Sequence, residues 1–239
     1  MRGSIKTVGP LLLALTAAPL AAQSEPNVNA YNWKYDGRTS VPVKMYQYFP
    51  SQCRPALARA VTTINAIGSR FTFTHSPTVT TTQNLEGGQN NSDAIVSYGR
   101  MVNAGAVAEA PPIPSSRNTA TSYGPSFLVS DADVVVNSNL IFYHPSDADS
   151  AGKYFCPAAA NQPVPGTFLS NGAPSADAEI DFEALMLHEL LHVAGLAHFS
   201  SSSCTMYNGD SPYTQSGARR TTCLAERNVL RSTAMYGAR

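Results

Sequence analysis

Residues 188–198 read HELLHVAGLAH and hold three of the chain's five histidines. His188 and His192 are four apart, which on a helix stacks both imidazoles on one face about one turn from each other. Glu189 adjoins the first of them and can face the open side of an ion that the histidines hold. Gly195 can take the left-handed backbone that ends a helix and turns the chain back, so that His198 can supply a third imidazole. Three nitrogen ligands with one open position describe catalytic zinc, since structural zinc sites close all four. The competing explanation is a pair of packed core histidines. The flanking sequence, ALMLHELLHVAGL, is almost wholly apolar, and burying two imidazoles and a carboxylate there without a cation would cost several kcal/mol.

A rigid element must hold these groups. Asp181 suits the N-cap of the helix that carries them, with Ile180 and Leu185 at the two positions of a hydrophobic staple. Upstream, Val41 to Tyr48 alternates and is rich in β-formers, so it predicts a strand. A helix is expected from Arg54 to Ile67, with Pro55 in its first turn, Leu57, Val61 and Ile64 on one face, and Gly68 beyond. Phe71–His75, Asp93–Tyr98 and Asp133–Asn137 read as further strands. A last helix is expected from Cys223 to Tyr236, followed by Gly237.

Composition fits one globular catalytic unit over 41–239: the chain has 239 residues, 43% hydrophobic and 13% charged. Residues 1–22 read as a signal peptide, with Arg2 and Lys6 at a basic start, an apolar stretch to Ala18, and small residues before Gln23. Residues 23–40 are then an N-terminal or short pro-segment. The apolar stretch is broken by Pro10 and Pro19 and is short for a membrane span. Without Arg2 and Lys6 the remainder carries 14 basic against 16 acidic residues, a charge of −2. That charge supplies no reason to expect nucleic acid or a stable membrane association. Four cysteines, Cys53, Cys156, Cys204 and Cys223, make an even set without C-x-x-C spacing, which suits disulfides in an exported protein. No oligomerisation signal is visible, so a secreted monomer is expected.

The complete pattern HExxHxxGxxH resembles the signature of the metzincins, zinc peptidases with a third histidine after a glycine turn. The resemblance implies zinc ligands at His188, His192 and His198, a general base at Glu189, and a methionine turn under the metal. Met206, eight residues past His198, resembles the short spacing of matrixins, the matrix-metalloprotease-like branch. The other candidate, Met235, leaves only Tyr236 to Arg239 for a pocket wall. Three cysteine pairings are open. Cys204–Cys223 is favoured because it would close the loop holding Met206 onto the last helix, contributing roughly 3 kcal/mol in the chain-entropy model, and Cys53–Cys156 would remain.

The resemblance implies an α+β, zincin-like fold: a twisted, mostly parallel sheet with one antiparallel edge strand, an active-site helix and a C-terminal helix. Ala106 to Pro112 is similar to the rim segment on which substrate pairs, which marks Ala106, Val107 and Ala108 as substrate-binding candidates. A proline-rich loop is the other reading. Tyr207, Asn208 and Gly209 open the expected wall of the pocket for the residue after the cut. The chain also departs from the branch. Phe199 stands where matrixins carry serine, and His75 and His144 are too far apart in sequence for a second zinc. A cysteine-switch propeptide is not expected. Calcium is a weaker candidate at Asp131 and Asp133 or at Asp147 and Asp149, where turn-forming aspartates are the commoner explanation. The implied activity is zinc-dependent hydrolysis of protein or peptide substrates. The rivals are a secreted zinc-fold binding protein and a hydrolase acting on amides outside proteins.

Overall fold

The computed structural model describes residues 33–81, 91–99, 107–121, 124–137, 154–156, 180–207, 221–233 and 235–239. The expected signal peptide lies outside these residues. So do Ala106, His144, Asp147, Asp149, Asn208 and Gly209. In chain order the elements are β1 (Trp33–Tyr35), β2 (Ser40–Tyr46), α1 (Arg54–Asn65), β3 (Thr72–Thr80), β4 (Ala94–Gly99) and β5 (Ala108–Glu109). They continue with β6 (Pro112–Thr121), β7 (Gly124–Ala132), β8 (Val134–Asn137), β9 (Tyr154–Phe155), β10 (Ile180–Asp181), α2 (Phe182–Val193) and α3 (Leu224–Arg231).

Five strands form the main sheet in the order β3-β2-β4-β8-β5. The first three pairings are parallel, and β5 closes one edge antiparallel to β8. The class is therefore mixed α+β with a mixed sheet. Strands buried on both faces need continuous apolar runs, and the central strands have them. Val134, Val135 and Val136 of β8 are inaccessible, as are Ala94, Ile95 and Val96 of β4. In β2 the residues Val41, Val43 and Met45 are buried in alternation with more exposed neighbours.

Two helices cover this core. Pro55 sits in the first turn of α1, where a missing N–H costs nothing. The buried face of α1, including Leu57, Val61 and Ile64, shares the hydrophobic cluster with Leu187, Leu190 and Leu191 of α2. Arg59 Nε on α1 donates to Glu183 Oε2 on α2 at 2.7 Å. Asp181 caps α2 as its residue type suggests: Oδ1 accepts from the N–H groups of Glu183 at 2.9 Å and Ala184 at 3.3 Å.

Several boundaries differ from expectation. Strand β3 runs to Thr80, well past His75, although Pro77 interrupts it. The strand lies at the sheet edge, where a residue without an N–H is tolerated. The last helix stops at Arg231 instead of Tyr236, because Ser232 turns to an extended backbone with ψ 148°. The tail then turns at Gly237, φ +83°, and pairs with the segment before β3. No strand was expected over 112–129, which is polar and interrupted by proline. It forms β6 and most of β7, an antiparallel hairpin whose second strand pairs in parallel with β1. The helix period is carried by every turn, whereas a polar strand is defined by a distant partner.

Asp181→Ala removes the acceptor of two N–H groups at the start of α2. It is expected to lower stability by about 1 kcal/mol, read as a shift in urea midpoint with an unchanged slope.

Candidate metal centre

Helix α2 ends in a Schellman turn. Gly195 N–H donates to His192 O at 2.7 Å and Leu196 N–H to Leu191 O at 3.0 Å. Gly195 takes φ +99°, a backbone that a side chain would strain. Leu191 and Leu196, which this motif brings together, are both fully buried. The reversal carries His198 back to the helix: its Nε2 lies 3.1 Å from His192 Nε2 and 3.2 Å from His188 Nε2.

Backbone carbonyls fix how these rings present themselves. His188 Nδ1 lies 2.8 Å from Thr205 O, and His192 Nδ1 lies 2.8 Å from Leu196 O. A carbonyl can only accept, so each Nδ1 carries the hydrogen and each Nε2 presents a lone pair. Two lone pairs thus converge on the Nε2 of a third imidazole. A single hydrogen on that atom could align well with only one of them. Protonating His192 offers no relief at neutral pH, because burial, reinforced by His188, pushes its pKa down to about 3. A cation relieves the repulsion. Tetrahedral zinc with Zn–N bonds of about 2.0–2.1 Å separates its nitrogen ligands by about 3.3 Å, close to the spacing found. The residues therefore fit a zinc ion.

Glu189 follows His188 on α2. It is only 4% exposed, and its Oε2 has no hydrogen-bond partner among the described residues. Burial, with Glu109 of β5 as a lesser cause, raises its pKa to about 8. A nearby cation favours the ionised form and acts against that rise.

A scan of the chain against protein-family models finds no match, and a search of curated proteins also finds none.

The loop that begins after His198 is tied back to it. Phe199 N–H donates to Met206 O at 2.6 Å, and the Phe199 side chain is buried in the core cluster. Met206 is fully buried. Both expected disulfides are formed, Cys204–Cys223 between this loop and the start of α3 and Cys53–Cys156 ahead of α1. Val107 and Ala108 lie at the antiparallel edge strand: Val107 O accepts from Asn137 N–H at 2.8 Å, and Ala108 pairs with Val136. Tyr207 makes an isolated bridge with Phe199.

Sequence reasoning missed Glu226. This carboxylate is fully buried. Its Oε1 accepts from Met206 N–H at 2.5 Å and its Oε2 from Cys223 N–H at 2.7 Å. The next carbonyl back, that of Thr205, is the one that orients His188. Glu226 thereby links the first turn of α3 to His188 through one loop. Its place three residues after the N-cap Cys223 was the available signal. Cys204, Cys223 and Glu226 converge as metal-capable groups, but the disulfide consumes both thiols.

Of the aspartates considered for calcium, Asp131 and Asp133 serve the backbone. Asp131 Oδ2 accepts from Asn91 N–H at 2.9 Å and Ser92 N–H at 3.3 Å, and Asp133 Oδ1 from Ile95 N–H at 2.7 Å. Asp131 pins the loop before β4, where Ser92 holds a left-handed backbone at φ +72°, and Asp133 holds the start of the strand itself. Neither joins a group of three metal-capable side chains among the described residues.

Burial raises the pKa of Glu226 to about 7, against the opposing pull of its N–H donors. The folded protein then holds this proton more tightly than the unfolded chain. The stability contributed is complete below about pH 4.5 and is lost as pH rises to about 7. Glu226→Gln is expected to remove that slope from the stability profile of the zinc-free protein. It should also cost about 1–3 kcal/mol, because an amide NH2 would face a backbone N–H. Urea titrations at pH 5 and pH 8 check both effects.

Proposed function

We propose that the chain is an exported zinc-dependent endopeptidase of the metzincin clan with a matrixin-like layout. The observation that carries this reading is the convergence of three Nε2 atoms, two with lone pairs imposed by backbone carbonyls, next in sequence to a buried carboxylate, Glu189, whose Oε2 has no partner among the described residues. The mostly parallel sheet with its antiparallel edge strand β5 supports the layout. Two disulfides support export. No helix among the described residues is long and apolar enough to cross a membrane.

When bound, zinc supplies a Lewis acid that brings the pKa of a water towards ~7 and stabilises charge developing on a carbonyl oxygen. His188, His192 and His198 hold the ion as neutral ligands and keep its positive charge undiminished. Glu189 takes the proton of the attacking water and delivers it to the leaving amine. Strand β5 offers an extended peptide a backbone to pair with at the rim, through Ala108, since the Val107 carbonyl is already taken by Asn137 N–H. Tyr207 would open the wall that receives the residue after the cut.

The test uses purified protein with measured zinc content on a proteome-derived peptide mixture. Cleavage that stops with a chelator and returns with zinc is expected. Glu189→Ala should retain stoichiometric zinc and lose kcat/KM by about 100- to 10,000-fold. Undiminished cleavage by that variant sinks the assigned mechanism. Zinc binding without any peptide cleavage favours a binding protein or a non-peptide amide hydrolase. Because Glu189 must be ionised to act as base and burial raises its pKa, kcat/KM should fall towards acid pH along a limb that reports its ionisation.

A further inference from the structure

We infer that Tyr236 is a positioning residue for the metal turn, acting through the carbonyl at which helix α2 ends. The inference rests on the zinc-site reading above and extends it to a residue that touches neither metal nor substrate.

The Tyr236 hydroxyl lies 3.1 Å from Ala194 O and 3.2 Å from Tyr35 N. The partners fix its proton: a carbonyl only accepts and an N–H only donates. The hydroxyl therefore donates to Ala194 O and accepts from Tyr35 N–H. Burial holds its pKa well above the usual tyrosine value, so the donor persists across any working pH.

Ala194 is the C-cap of α2 and precedes Gly195. The carbonyls of a helix's last turn have no intrahelical partner, and here one is satisfied by a side chain 42 residues away. This is the point from which the chain reverses. Two residues later Leu196 O orients the His192 ring, and two after that His198 enters the site. A shift of the Ala194 carbonyl moves both.

The ring is held from several directions. It stacks on Phe71 at 4.5 Å between centroids, and Phe71 stacks on Tyr35 at 5.6 Å. The backbone around Tyr236 is clamped by Arg70 N–H to Gly237 O at 2.8 Å and Gly237 N–H to Ser232 O at 2.7 Å. Arg239 closes the tail, its N–H donating to Gly68 O at 2.9 Å and its Nε to Ser69 O at 2.7 Å. One hydroxyl thus joins β1, the C-terminal tail and the metal turn.

The experiment measures zinc affinity by chelator competition, well below the melting temperature, in the full chain and in Tyr236→Phe. Phenylalanine keeps the ring stack and removes only the hydroxyl. A zinc Kd raised about 10- to 100-fold is expected, the range for losing a group that orients metal ligands. Asp181→Ala is the control, since it weakens α2 at the opposite end; its zinc Kd should stay within threefold of the unaltered protein. A Tyr236→Phe Kd within threefold, or an equal loss in Asp181→Ala, overturns the inference. If Tyr236→Phe does not fold, Arg239→Ala loosens the same tail from the surface. It should then raise the zinc Kd in the same direction, and an unchanged value overturns the inference. Peptide cleavage is scored separately: zinc binding without cleavage rejects the peptidase reading and leaves this one intact, whereas an unaltered chain that binds no zinc rejects both.

Discussion

The site depends on one electrostatic constraint. Carbonyl oxygens of Thr205 and Leu196 take the hydrogens of two imidazoles, and this commits both Nε2 atoms to present lone pairs towards a third ring. Such a cluster, with His188 and His192 half-buried and His198 exposed, is unfavourable unless a cation shares the electrons. The two carbonyls come from the loop holding Met206 and from the turn after Gly195, which are the two segments that carry the chain away from α2. The donor set and its supports are thus inseparable.

The energetic supports radiate from those two segments. The loop is held by the buried Glu226 carboxylate, by the Cys204–Cys223 disulfide and by the Phe199–Met206 backbone bond. The turn is held by its own Schellman bonds and by the Tyr236 hydroxyl. Helix α2 lies between them, capped by Asp181 and paired with α1 through Arg59. Burial makes each support costly to break and also shapes the site's titration. It raises Glu189 and lowers His192, so the uncharged forms prevail until a metal is present.

Much of this was legible in the chain because it is local. The i, i+4 histidines, the N-cap at Asp181, the left-handed glycine and the buried valine runs each follow from backbone geometry within a few residues. The elements that were misread depend on distant partners. Strand β3 tolerates Pro77 only because it sits at an edge, and the β6–β7 hairpin is polar and finds its register through β1. By type and spacing Asp131 and Asp133 read first as turn-forming residues and second as cation ligands. Their oxygens instead receive N–H groups from residues about 40 positions earlier, a contact that spacing cannot reveal.

The sequence alone determined the chemistry on offer: three imidazoles, one carboxylate, a reversal at Gly195, and cysteines in an even set. Helix periodicity and the conformational freedom of glycine are properties of the local chain, and they were enough to place those groups on one face. Only the tertiary structure decided which nitrogen His188 and His192 present, that Glu189 Oε2 has no partner among the described residues, and that Glu226 and Tyr236 stand behind the histidines. Those outcomes require groups 17, 20 and 42 residues apart to meet. They meet because the sheet and its two covering helices bury apolar surface together, an effect with no fixed spacing along the chain.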